Sequence, residues 1–159
     1  MMEIVPAQEN KGAFLALVKE YTDHIRQQDA EVADTLSFQH LDEELADAEK
    51  KYGYPGGRMY LLLVDGKTAG CVALTRNDDD YCEIKRLYVR PEYRGRGFSS
   101  LLSRKVMEDA REIGYKYMRL DTFPFMKSAI RLYEKLGFQY VERYNDNPAA
   151  DAIFMQLTL

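Results

Sequence analysis

Glu83-Ile84-Lys85-Arg86-Leu87-Tyr88-Val89-Arg90-Pro91-Glu92-Tyr93-Arg94-Gly95-Arg96-Gly97-Phe98-Ser99-Ser100 joins two kinds of backbone in eighteen residues. Its first part, rich in aliphatic and aromatic side chains, predicts a strand over 82–89, and Pro91 ends it. Gly95 and Gly97 then allow a sharp turn and a close approach to a ligand. Beyond them Phe98, Leu101, Leu102, Val106, Ala110 and Ile113 recur at helical spacing, which predicts a helix over 97–113 stopped by Gly114. A helix leaving such a turn aims its unpaired N–H groups and the positive end of its dipole at whatever the turn holds. The stretch therefore reads as an anion site, most naturally for phosphate.

Several phosphate loops share this outline. A Walker A loop requires Lys followed by Ser or Thr, and neither pair follows Gly97; a Rossmann turn requires a third glycine, where this chain has Ser100. The run Arg94-x-x-Gly97-x-Ser99 instead resembles the acetyl-CoA pyrophosphate loop of the GNAT N-acetyltransferase superfamily, [QR]-x-x-G-x-[GA], with Ser99 departing from its last position. Downstream, Ala129-Ile130-Arg131-Leu132-Tyr133-Glu134-Lys135-Leu136-Gly137-Phe138 resembles that family's second signature, A-x-x-L-Y-x-K-x-G-F. The resemblance covers about residues 58 to 141.

A chain of 159 residues suits one domain, 1–159, with a substantial core. With 46% hydrophobic and 30% charged residues it is neither disordered nor a membrane protein by composition, and a cytoplasmic location is expected. The net charge of −4 disfavours nucleic acid as the main partner. The charge is uneven. Residues 20–50 hold ten acidic side chains against Arg26 and Lys50, and the remainder, with 20 basic and 16 acidic residues, is net positive. That asymmetry fits a cationic acceptor on one side and a phosphate-rich co-substrate on the other, and equally a solvated acidic helix face. Cys71 and Cys82 lack metal-ligand spacing and read as small buried hydrophobes; no metal is expected. His24 and His40 fall in the N-terminal helical region and receive no role.

In chain order, the pattern predicts a strand over 3–5, an amphipathic helix over 12–28 carrying Phe14, Leu17, Val18, Tyr21 and Ile25, and a second helix over 41–51. Strands follow over 59–64 and 68–75, joined by the hairpin signal Asp65-Gly66. After the quoted stretch come a strand over 117–122, a helix over 126–136 with Ala129, Leu132, Tyr133 and Leu136 on one face, and a closing pair over 139–143 and 152–158. This order predicts an α/β (α+β) fold, a mostly antiparallel sheet with a central parallel pair where the 97–113 helix crosses between strands. The resemblance implies that this pair splays apart to admit the pantetheine arm of acetyl-CoA.

The resemblance further implies acetyl transfer from acetyl-CoA to a primary amine acceptor, a small molecule or a peptide, by direct attack on the thioester. Glu83 matches the position of a glutamate that serves many relatives as general base through water; it equally reads as a strand-end carboxylate paired with Lys85 or Arg86. Tyr133 matches the general acid that meets the leaving thiolate, and also reads as a core aromatic. The main chain of Leu87, Tyr88 and Val89 is expected to pair with pantetheine and supply an oxyanion donor, and that of Arg94, Gly95, Arg96, Gly97, Phe98 and Ser99 to hold the pyrophosphate. Many relatives carry Asn where this chain has Met126, and Lys127 or Ser128 can substitute for it. A homodimer is possible. Two other readings stay open here: an acyl-CoA-binding module that senses without transferring, and a nucleotide-binding domain of Rossmann type.

Overall fold

A computed structural model of the protein describes residues 1–28, 46–147 and 149–159. Seven strands form one sheet in the order β1-β2-β3-β4-β5-β7-β6. The strands are β1 (Met2–Pro6), β2 (Arg58–Val64), β3 (Lys67–Arg76), β4 (Tyr81–Val89), β5 (Tyr117–Thr122), β6 (Gln139–Val141) and β7 (Ile153–Thr158). All neighbours run antiparallel except β4 and β5. The helices are α1 (Lys11–Gln28), α2 (Ala48–Tyr52), α3 (Phe98–Ile113) and α4 (Lys127–Leu136). This mostly antiparallel order is not the doubly wound parallel sheet of a Rossmann domain.

Local chemistry explains the boundaries. Asp65 and Gly66, with φ of 51° and 80°, make the two-residue turn whose twist matches paired strands, so β2 and β3 close as the sequence predicts. α3 and α4 end at Gly114 and Gly137, at φ 108° and 100°, where left-handed backbone costs glycine little. The first part of the expected helix over 41–51, residues 41–45, lies outside the described residues, as does His40; its end appears as the short α2, stopped by Gly53.

The sheet has a core on each face. On one, Leu62, Val72, Leu74, Met118 and Leu120 meet Leu102 and Val106 of α3. On the other, Met59, Leu61 and Cys71 meet Phe14, Leu17 and Val18 of α1, with Tyr52 of α2. Leu101 departs from the expected apolar face of α3 and is exposed. Asp109 takes a buried place instead, accepting a hydrogen bond from Tyr60 and pairing with Lys105 at 3.2 Å and Arg58 at 3.9 Å.

Two irregularities shape the centre of the sheet. β4 and β5 pair only at Tyr81–Tyr117, Cys82–Met118 and Glu83–Arg119, and beyond Glu83 their pairing ends. Between Ala73–Lys85 and Cys71–Tyr88, two steps of β3 face three of β4, and Arg86 adopts φ 58°. This bulge resets the alternation: Cys82 and Ile84 face the α3 core before it, whereas Leu87 and Val89 do so after it, and Tyr88 turns toward α1.

Candidate active site

A cleft of about 700 Å³ opens where β4 leaves β5. Leu87, Tyr88 and Val89 form one wall and the turn through Arg94, Gly95 and Gly97 closes one end. Phe98, Ser99 and Ser100 present the start of α3, Tyr21 and His24 of α1 line the cleft, and Met126, Lys127, Ser128 and Arg131 enter from α4 and the residue preceding it. Of the residues expected at the co-substrate, the structure brings together all but Arg96, whose guanidinium lies 5.7 Å over the Tyr93 ring. A second concavity, of about 600 Å³, is lined by Lys50, Tyr54, Thr75 and Arg76 and by Asp47 at the start of the short α2, with no left-handed glycine facing it.

The turn is built to present backbone. Gly95 and Gly97 have φ of 80° and 79°, and no atom lies within 4 Å of where a Cβ would stand on either. Leu101 is the first residue of α3 whose N–H reaches a carbonyl one turn back, that of Gly97 at 3.1 Å, so the N–H groups of Phe98, Ser99 and Ser100 begin the helix without that partner. No side chain caps this end. Arg94 braces the turn by donating from Nε to the Val89 carbonyl at 2.9 Å, with its guanidinium 5.7 Å from the Tyr88 ring. Arg94, Lys127, Arg131 and Lys135 give the cleft a cationic rim. The residues present thus fit a polyphosphate: free N–H donors at a helix start, glycine backbone open to the ligand, and cations around it.

Glu83 lies outside the cleft lining, in the last paired step of β4 with β5, and is 7% exposed. Its Oε1 accepts from Asn77 Nδ2 at 2.9 Å, and Lys85 Nζ stands 3.8 Å from Oε2, which accepts no hydrogen bond. Asn77 also accepts from Arg119 Nη2 at 3.0 Å, and the Arg119 guanidinium lies between the rings of Tyr81 and Tyr144 at 4.2 and 4.1 Å. Tyr133 is buried on α4, its ring 5.6 Å from Phe138, and burial raises its pKa far above that of a free phenol, with the charges of Tyr21 and Asp121 adding to the effect. The phenol therefore keeps its proton at any working pH.

Arg90 stands apart from the cleft: it forks onto Glu20, with Nη2 2.6 Å from Oε2, and donates to the Thr68 carbonyl. Glu20 is correspondingly withdrawn from the acidic face read from the sequence. Burial pushes the Cys82 thiol up to about 12, so it is an un-ionised core group at neutral pH. His24, given no role from the sequence, lines the cleft 6.5 Å from the Tyr88 ring, with its pKa lowered by burial and by Arg94. Its position on the same helical face as Tyr21 and Gln28 was the available signal. Among the described residues no group of three or more His, Cys, Asp or Glu side chains could hold a metal ion, and no helix is long and apolar enough to cross a membrane.

The acetyltransferase (GNAT) family model matches residues 27–138. An uncharacterized N-acetyltransferase of Schizosaccharomyces pombe is 38% identical over 148 residues, 92% of this chain and 86% of the relative. A crystal structure of an acetyltransferase from Streptococcus agalactiae superposes with a TM-score of 0.81 at 24% identity, covering 99% of this chain and 98% of the other. The PaiA N-acetyltransferase of Thermoplasma acidophilum, solved in complex with coenzyme A, gives 0.78 at 15% identity over 100% and 99% of the two chains.

Proposed function

Because this chain belongs to the acetyltransferase (GNAT) family and is an acetyl-CoA-dependent acyltransferase, we propose that it acetylates a primary amine in the cleft between β4 and β5. The observation that carries the reading is the junction of an unpaired strand edge with the glycine turn that starts α3. Acetyl-CoA supplies an activated acyl carbon and a thiolate leaving group. The N–H groups of residues 94–99 take its pyrophosphate, and Lys127, Arg131 and Lys135 add charge around it. The free edge of β4 at Leu87, Tyr88 and Val89 pairs with the amides of pantetheine as an added strand does. One N–H of that edge faces the thioester oxygen as negative charge develops there. Ser128 stands where a polar contact to the arm is needed beside Met126.

The acceptor nitrogen must lose a proton before it attacks, because an alkylamine with a pKa near 10.4 is charged at neutral pH. Glu83 is the proposed base, acting through water, with Asn77 fixing one of its oxygens. As the C–N bond forms and the C–S bond breaks, Tyr133 hydrogen-bonds the departing sulfur; its elevated pKa makes it a stable donor and a reluctant acid. The test is calorimetric titration with acetyl-CoA, CoA and NAD at fixed ionic strength, followed by CoA release with a panel of amines. Binding of acetyl-CoA and CoA but not NAD, with turnover of at least one amine, is the expected result. Failure to bind either CoA species overturns the reading.

A further inference from the structure

A second carboxylate, Asp121, occupies the open part of the parallel pair. It lies two residues beyond Arg119, the last β5 residue paired with β4, and opposite Phe154 of β7. Met118 and Leu120 point into the α3 core, so Asp121, alternating with them, stands with Arg119 on the opposite face.

The loop after β6 is folded around this side chain. Asn145 Nδ2 and Asn147 Nδ2 both donate to Asp121 Oδ2, at 3.0 and 3.1 Å. The amide orientations are fixed because their other ends are in use: Asn145 Oδ1 accepts from Asn147 N at 3.0 Å, and Asn147 Oδ1 from Ala149 N at 2.9 Å. Arg143 donates to the carbonyls of Asn147 and Ala149, holding the loop in this shape. Two side chains and a braced loop are thus committed to one oxygen of a half-buried carboxylate, while Oδ1 has no hydrogen-bond partner among the described residues. Glu83, by contrast, is nearly inaccessible and lies in the closed part of the strand pair. Two residues beyond Asp121, Phe123 clusters with Tyr21, Phe125 and Met126 of the cleft wall and with Ala149 of the same loop, so Asp121 flanks the cleft on its β5 side.

We propose that Asp121 is the acceptor-recognition residue, with Oδ1 receiving an N–H of a cationic primary amine while Asn145 and Asn147 hold the carboxylate in place. This rests on the acetyl-transfer reading above and names the class of acceptor it takes: a small molecule or side chain that arrives as an alkylammonium. A charge-assisted hydrogen bond of this kind is directional as well as strong, so it orients the nitrogen as well as holding it.

The experiment measures acceptor and acetyl-CoA steady-state constants separately, with the best primary amine from a panel of polyamines, aminoglycosides, amino acids and basic peptides. Asp121→Asn is expected to raise the acceptor KM by about 10- to 100-fold, the loss of one charged hydrogen bond, with the acetyl-CoA KM within about twofold of wild type. Asn145→Ala with Asn147→Ala keeps the charge and loosens it, and is expected to raise the acceptor KM by about three- to tenfold; this variant carries the test should Asp121→Asn not fold. An acceptor KM unchanged in a folded variant of either kind overturns the assignment of Asp121 and leaves the transferase reading standing. No turnover of any amine by the wild-type protein overturns both.

Discussion

Glu83 and Tyr133 divide the proton work in the proposed reaction, and their surroundings set what each can do. Glu83 is held by Asn77 and flanked by Lys85, so Glu83→Gln keeps the shape and removes only the acceptor for a proton. We expect kcat/KM to fall by about 100-fold or more, with acetyl-CoA affinity unchanged by calorimetry; turnover within twofold of wild type removes the role. Tyr133→Phe deletes one hydroxyl from a buried ring, and should lower kcat by about tenfold while the fold, read by thermal melting, holds. His24 gives a pH prediction. Its folded pKa is lowered, so the unfolded chain binds its proton first as pH falls, and folding stability should decline from the unfolded value near 6.5 downward. His24→Gln should flatten the stability profile below about pH 6.5, measured by urea unfolding; an unchanged slope assigns it to other groups.

Among the elements, β4 with its turn carries the most information, and it divides what sequence shows from what it hides. The strand, the glycine turn and α3 were legible because periodicity and glycine report directly on backbone geometry: Asp65-Gly66 closed its hairpin and Gly114 and Gly137 capped their helices as read. The β4 bulge was not, because its left-handed residue is Arg86 and not glycine. A non-glycine residue enters that region when the surrounding sheet imposes it, which a single strand cannot announce. The clasp of Asn145 and Asn147 on Asp121 was hidden likewise, since a polar loop and a strand carboxylate 24 residues away meet only after β7 inserts between β5 and β6. Leu101 had the right spacing but is exposed, while its neighbour Leu102 and Val106 hold the buried face of α3. Gly97→Val tests the turn as an element. The space around a new Cβ is open, so the expected loss is conformational, about 1–2 kcal/mol for a β-branched residue at φ 79°. Urea unfolding should show that loss, and acetyl-CoA affinity should fall further because the N–H groups lose their aim. Intact affinity would mean that the phosphates bind elsewhere.

For the whole molecule, the uneven charge matters more than its sum. A net charge of −4 would repel a polyanionic co-substrate at long range, yet the cleft gathers Arg94, Lys127, Arg131 and Lys135. These are rim cations in contact with solvent, so their attraction extends over a screening length of about 10 Å at 0.1 M salt and contracts as salt rises. The N–H donors of the turn act at contact and lose far less. Acetyl-CoA affinity should therefore weaken with ionic strength toward a floor set by backbone contacts, while the sheet itself stays folded. Thermal melting reads both effects in one experiment. A ligand at about 100 times its Kd stabilises the folded state by about 2.7 kcal/mol. For a chain of this size each kcal/mol moves Tm by about 2–4 °C, so acetyl-CoA should raise Tm by about 5–11 °C at low salt. The shift should shrink in 0.5 M NaCl without vanishing, and NAD at the same concentration should produce none. A shift insensitive to salt would take the rim cations out of binding, and an equal shift with NAD would mean that the cleft recognises a nucleotide diphosphate without regard to the pantetheine arm, against the role given to the free edge of β4.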